Sequence, residues 1–256
     1  LYANVDNFCF KEPEIQIAKR PELDRWIISL LNTLVKEVNE SYGNYEPTRA
    51  GRAVSEFVTE NLSNWFVRLG RKRYWGGDYS EDKISAYQTL YVCLETVSKL
   101  MAPVAPFYAD MLYRDLNRVT GREKDQSVHL ADFPVFDESF IYLYMEEKMK
   151  IAQKASSMIL ALRRKEKIKV RQPLAKIMVP VLSADFHRKF DAVKDIILAE
   201  VNVKAVDYLS DTSGIIKKKL VPDFKKLGPK YGKHMKQIAL ALTGFDQNDI
   251  QTFESL

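Results

Sequence analysis

Between Asn61 and Gly77 the chain reads NLSNWFVRLGRKRYWGG. Arg68, Arg71, Lys72 and Trp75 stand at i, i+3, i+4 and i+7, the spacing that places side chains on one face of a helix. Arg73 and Tyr74 lie between them, and Gly76–Gly77 close the stretch. Guanidinium groups fork onto phosphates or base edges, and exposed aromatic rings stack unpaired bases. Arginine beside tryptophan is therefore the chemistry that single-stranded RNA requires. Two plainer explanations compete. The helix macrodipole favours cations near a C-terminal end, and Tyr74 with Trp75 can simply close a core. Leu62, Trp65, Phe66 and Leu69 in the same stretch carry the spacing of a core stripe.

Little else assembles chemistry. His129, His187 and His234 are widely separated, and with Cys9 and Cys93 they give no zinc spacing. Two distant cysteines make no disulfide framework and point to a reducing, cytosolic compartment. Glycine-rich nucleotide fingerprints are missing. LGPKYGK, Leu227 to Lys233, sets glycines and lysines before an expected helix, either as a phosphate cradle or as a basic turn. By motif the chain reads as a binding domain without catalytic groups.

Charge is the second signal. The 256 residues carry a formal net charge of +5, unevenly spread. Lys148 to Lys176 holds ten Lys/Arg against Glu166 alone, and Lys217 to Lys236 holds eight Lys against Asp223 alone. The remainder is then net acidic. Such asymmetry suggests a polyanionic partner for the basic part, set against the alternative of a solvated lysine face.

Helices must position these residues. Leu23, Trp26, Ile27, Leu30, Leu31, Leu34 and Val38 recur at helical spacing between Pro21 and Gly43. A second helix is expected from Thr48 as N-cap through the Arg/Trp stretch, and a third from Ser80 as N-cap. Pro103 and Pro106 should break the third, because proline lacks an amide hydrogen and crowds the preceding turn. After a turn-rich connection from Gly121 to Asp137, helical period returns for nearly thirty residues. Beyond residue 168 the pattern alternates: LAKIMVPVL as strand, DFHRKFDAVKDIILAEV as helix, VKAVDYLS as strand, IKKKLVPDF as a third possible strand and GKHMKQIALAL as helix. The expected fold is mainly α: a helical bundle over 1–168, then a small α+β unit over 169–256 that stops before its domain ends. No apolar run is long enough for a membrane span. The start, LYANVDNF, reads as a stretch of a longer chain.

The residues from Leu23 to Trp75 resemble the anticodon-binding helical domain of class I aminoacyl-tRNA synthetases, in the isoleucyl branch. NLSNWFVRLGRKRYW is the most specific part; valyl and leucyl relatives share the bundle but usually differ there. LYANVDNF resembles the sequence leaving the catalytic domain. LMAPVAPFYADMLYRDL resembles the family's proline-broken helix, SVHLADFP its following loop, and KVRQPLAKI the segment after the last bundle helix. AEVNVKAVDYL and LGPKYGKHMK resemble the C-terminal extension of the eukaryote-like branch.

The resemblance implies a fragment that binds the anticodon stem and loop of an isoleucine tRNA. ATP and Mg²⁺ would serve a catalytic domain elsewhere in the parent chain, because neither the His-Ile-Gly-His type nor the Lys-Met-Ser-Lys-Ser type signature occurs here. The editing domain and the cysteine-rich zinc element of many bacterial relatives are also missing, and the enzyme is expected in the cytoplasm. Candidate tRNA contacts are Arg68, Arg71, Arg73 and Trp75, with Arg25 and Arg49 on the same side. Arg163, Arg164, Arg171, Lys217, Lys218 and Lys219 are candidate backbone contacts. A valyl, leucyl or methionyl relative, or a basic scaffold docking an acidic protein, remains the alternative.

Overall fold

The computed structural model describes residues 2–75, 77–181, 183–209 and 220–245, with residue 249. The chain divides into two units, Leu1–Lys154 and Ala155–Leu256.

The first unit opens with a strap. A short helix α1 (Tyr2–Val5) leads into irregular chain and a 3₁₀ turn at Ile17–Lys19. Four helical stretches then build the bundle: α2 (Glu22–Gly43); α3 (Pro47–Glu56), continuing through Phe57–Val67 to α4 (Arg71–Trp75); α5 (Glu81–Met101); and α6 (Pro106–Thr120). The stripe on α2 becomes core, with Trp26, Ile27, Ile28, Leu31, Leu34, Val35 and Val38 all buried. Pro47 starts α3 and Glu46 occupies the cap without a side-chain bond, so Thr48 is not the cap. Proline fits this first position because its missing amide hydrogen would be unsatisfied there anyway. Ser80 does cap α5, its Oγ accepting from the Lys83 amide at 3.3 Å. Pro106 begins α6.

The second expected helix is not regular. Phe57–Val67 is π-helical, with the wider i→i+5 turn. The residues explain why. Buried positions run Ala50, Val54, Phe57, and then Leu62, a step of five, before Trp65 and Phe66. A regular turn would place Asn61 where Leu62 sits. Instead Asn61 accepts a 2.8 Å hydrogen bond from Gln153 Nε2.

The strap is bound to the polar residues that α5 buries. Asp6 Oδ2 accepts from Lys83 Nζ at 2.9 Å and from the Tyr87 hydroxyl at 2.6 Å. Gln88 accepts from the Ile15 amide and donates to the Pro13 carbonyl. Phe8 stacks on Tyr87, Phe10 meets Tyr91 edge-on, and the Arg122 guanidinium lies 3.9 Å from the Phe10 ring.

The long helix α7 (Leu143–Lys165) contains the division between the units, which falls after Lys154; the boundary expected at residue 168 lies just past its end. The second unit pairs β1 (Leu174–Pro180) with β2 (Val203–Leu209) in parallel, Leu174 opposite Val203 and Pro180 opposite Leu209. Parallel pairing needs a crossover. It is two helices, α8 (Ala184–Asp191) and α9 (Lys194–Val201), where one was expected. Phe190, Val193, Ile197, Val201 and Val203 form the core.

Two more helices follow, α10 (Phe224–Tyr231) and α11 (Met235–Thr243). Of the third expected strand, 216–219 lie outside the described residues and Leu220 to Asp223 form no strand. Cys93 is buried and Cys9 half-buried, both as free thiols. Among the described residues no helix is long and apolar enough to cross a membrane.

The Tyr87 hydroxyl and the Lys83 ammonium hold the Asp6 carboxyl below its usual range. A carboxylate with a depressed folded pKa adds stability above its unfolded value, about 3.9, and loses it as pH falls through the folded value. The denaturation midpoint should therefore drop more between pH 7 and pH 3 (about) in the parent chain than in Asp6→Asn. Equal drops would show that the strap's carboxylate carries no linkage.

Candidate nucleic-acid interface

The end of the irregular helix sorts the residues of RKRYW by direction. Gly70 interrupts the rod, its amide bonding the Phe66 carbonyl at 2.9 Å and its carbonyl accepting from the Arg73 amide. An added Cβ at Gly70 would stand 3.0 Å from the Phe66 oxygen, so a larger residue there would crowd the turn. Beyond it α4 turns Arg71 and Trp75 outward, one helical turn apart. The Arg71 guanidinium carbon lies 4.2 Å from the centre of the Trp75 ring. Trp75 is 55% exposed, and Tyr2 of the strap meets it edge-on at 6.1 Å. Such a cation–π pair at an exposed site is worth about 0.5–1 kcal/mol. Its larger consequence is orientation, because a ring and a guanidinium already stacked present flat faces to solvent.

Arg73 points the other way. Nη1 and Nη2 reach the two Asp24 oxygens at 2.5 and 2.9 Å, Nε reaches Asp82 Oδ2 at 2.9 Å, and Nη2 also donates to the Asp82 carbonyl. Asp24 is fully buried and accepts in addition from the Ser85 hydroxyl at 2.5 Å. Burial alone would lower the Arg73 pKa, but its hydrogen bonds to Asp24 and Asp82 outweigh it and hold the pKa above the ordinary value. Arg73 thus joins the first turns of α2 and α5 to α4, an internal clamp at a position where an RNA contact was expected. Tyr74 is likewise core, packed on Tyr87 and donating to the Ala86 carbonyl at 3.4 Å.

The other candidates separate. Arg68 is exposed and donates Nε to the Asn64 carbonyl at 2.8 Å. Arg25, beside Asp24, is half-buried, and its enclosed Nε has no hydrogen-bond partner among the described residues. Arg49 is not on that side. It sits in the first turn of α3, over 20 residues before Arg71 along the rod, which at 1.5 Å per residue is roughly 30 Å. Glu37 and Glu46 flank it at 3.6 and 3.5 Å. The groove it lines, about 830 Å³, sets five glutamates against Arg49, Arg52 and Lys150. That balance disfavours phosphate.

In the second unit Arg163 is also internal. It is 3% exposed and donates to the carbonyls of Lys169, Gln172 and Asn202 at 3.2, 3.0 and 2.9 Å, so it is held inside where a contact with an RNA backbone was expected. Arg164 and Arg171 are exposed. Lys217, Lys218 and Lys219 lie outside the described residues. The glycines of LGPKYGK form no open cradle. Gly228 and Pro229 lie inside α10, and Gly232 begins a 3₁₀ turn. Among the described residues no cluster of His, Cys, Asp or Glu could hold a metal.

Sequence reasoning did not place Tyr2 against Trp75, because no periodicity links residues so far apart. Lys72 is exposed beside the pair and was legible from its spacing.

A helical bundle with a stacked, exposed Arg–Trp pair at one end is a scaffold of known class. The anticodon-binding domain of tRNA ligase matches residues 24–179, and the chain belongs to that family. Among curated relatives it is similar to the isoleucine–tRNA ligase of Bacteroides thetaiotaomicron, 56% identical over 254 residues, which are 99% of this chain and 22% of that one. It is 57% identical over 254 residues to that of Porphyromonas gingivalis, with the same coverage. The isoleucine–tRNA ligase of Clostridium novyi is 36% identical over 252 residues, 98% of this chain and 23% of that one. The chain thus spans about a fifth of the length of these relatives.

Asp24→Asn should lower stability by about 3–5 kcal/mol, because it leaves the Arg73 charge enclosed with half its partners. Asp82→Asn, at a half-exposed acid, should cost under about 1 kcal/mol. Urea midpoints compare the two, and equal costs would remove Asp24 as the centre of the clamp.

Proposed function

We propose that this chain is the part of an isoleucine–tRNA ligase that holds the anticodon arm of isoleucine tRNA. The observation that carries the reading is the Arg71–Trp75 pair, stacked at 4.2 Å and exposed on a clamped helix end. The family match and the names of the relatives support it. Trp75 would stack an unpaired base, Arg71 would fork onto a phosphate or base edge, and Arg68 and Lys72 would add charge beside them. Arg25 stays a candidate on that side. Arg164, Arg171 and the lysines 217–219 are candidates for the sugar–phosphate backbone, which positions RNA without reading it.

In the whole enzyme isoleucine and ATP, with Mg²⁺, would give isoleucyl-adenylate and pyrophosphate, and the acyl group would pass to the tRNA 3′ end. Those steps belong to a catalytic domain outside this stretch, whose own residues bind and orient. The cytoplasm is the compartment we assign to this role.

Binding of a tRNA panel to the chain tests the reading. Trp75→Ala and Arg71→Ala should each weaken isoleucine tRNA by about 1–3 kcal/mol, roughly 5- to 150-fold, and narrow its margin over other tRNAs. Folding stability should move by no more than about 1 kcal/mol, the worth of the exposed cation–π pair that either change removes. If parent and variants bind every tRNA alike, the pair does not read an anticodon.

A further inference from the structure

The basic run Lys148–Lys176 is not one solvated face. Lys148 pairs with Glu22, and Lys176 reaches Asp207 at 2.6 Å. Arg163 is buried. At the last turn of α7 and just beyond it remains a dense cluster: Arg164, Lys165, Lys167, Lys169 and Arg171 are all exposed within eight residues, with Glu166 the sole acid among them. Among the described residues, none of these five cations meets a carboxylate. The macrodipole of α7 accounts for Arg164 and Lys165, within its last turn, but its effect fades by Lys167, Lys169 and Arg171.

The loop that carries them is fixed from inside. Three of its inward-facing bonds come from the Arg163 guanidinium, to the Lys169, Gln172 and Asn202 carbonyls. Asn202, left-handed at φ 52°, donates Nδ2 to the Val170 carbonyl at 2.9 Å, and its own carbonyl also accepts from the Leu174 amide. Lys167 is left-handed as well, at φ 56°, and its amide bonds the Arg164 carbonyl, while the Ile168 amide bonds that of Arg163. The backbone's polar groups are thus turned in and the cations out. A pegged loop loses less freedom on binding than a basic tail would.

We propose that this loop is a second RNA surface, taking the sugar–phosphate backbone without reading bases, through Arg164, Lys165, Lys167, Lys169 and Arg171, with Arg163 as its positioning residue. The proposal rests on the tRNA-binding reading above and adds to it a site with a separate signature. Each phosphate neutralised releases counterions, so contacts are counted by the slope of log K against log salt, about 0.7–0.9 per phosphate.

The test is that slope, measured on the chain with isoleucine tRNA and with an unrelated tRNA. The triple variant K165A/K167A/K169A should lower the slope by about 2–3 and weaken both tRNAs by the same factor. Trp75→Ala should leave the slope within about one unit while discrimination falls. Arg163→Met, provided its circular dichroism matches the parent's, should also flatten the slope although it removes no exposed cation, a change that ordinary destabilisation would not make. An unchanged slope in the triple variant overturns the proposal and leaves the Trp75 reading standing. Failure of the parent chain to bind tRNA overturns both. Competition by polyglutamate as effective as by tRNA overturns the RNA assignment in favour of an acidic protein.

Discussion

The two-pronged bond from Arg73 to Asp24 is the constraint on which the end of the first unit that carries Arg71 and Trp75 depends. A guanidinium and a carboxylate meet as matching forks, so the contact fixes rotation as well as distance. The carboxylate belongs to the first turn of α2, the guanidinium to α4, and the neighbouring Asp82 and Ser85 to the start of α5. Three chain segments are tied at one buried point. Enclosing charges is costly, and a well-packed apolar replacement can match such a pair in stability. An apolar contact has no comparable directionality, however. With Arg73 and Tyr74 committed inward, helical geometry leaves Arg71 and Trp75 outward and one turn apart, where they stack.

Much of the frame was legible because its signals are local. The α2 stripe, the Ser80 cap, the proline break at Pro106 and the two strands each follow from residues within a few positions of one another. The exceptions have physical reasons. The widened turn at Phe57–Val67 leaves only a trace, the five-residue step from Phe57 to Leu62, and a 3.6-residue template reads through it. The strap has no period at all; it is held by the bonds of Asp6, Pro13 and Ile15 and by ring contacts of Phe8 and Phe10, all to residues 73 to 81 positions away.

The candidate site was harder to read, and two of the differences share a cause. A cation in a basic run looks like surface, because what buries it lies elsewhere in the chain. Arg73 finds Asp24 49 residues back, and Arg163 finds the Asn202 carbonyl 39 residues on. Arg49 differs for another reason. It was grouped with Arg71 by type and by helix, but the rod between them is long and its own neighbours are glutamates. The Arg71–Trp75 pair was legible because a spacing of four survives in the short regular helix after Gly70.

The two basic stretches reach a common arrangement by unrelated means. In each, one arginine is withdrawn into the protein and its neighbours are left outside: Arg73 beneath Arg71 and Trp75, Arg163 beneath the loop from Arg164 to Arg171. The buried partners differ, carboxylates in the first case and carbonyls in the second. The difference has an electrostatic consequence. Asp24 and Asp82 neutralise Arg73, so the first surface must rely on a flat stacked pair and a few cations around it. Carbonyls leave the charge of Arg163 uncompensated beneath five more cations, so the second surface is strongly positive and carries no exposed ring between Arg164 and Arg171. Stacking with modest charge suits unpaired bases, and dense charge without rings suits phosphate. The contrast between a stacked pair with few charges and a ring-free cluster of cations therefore follows from which acceptor each buried arginine found.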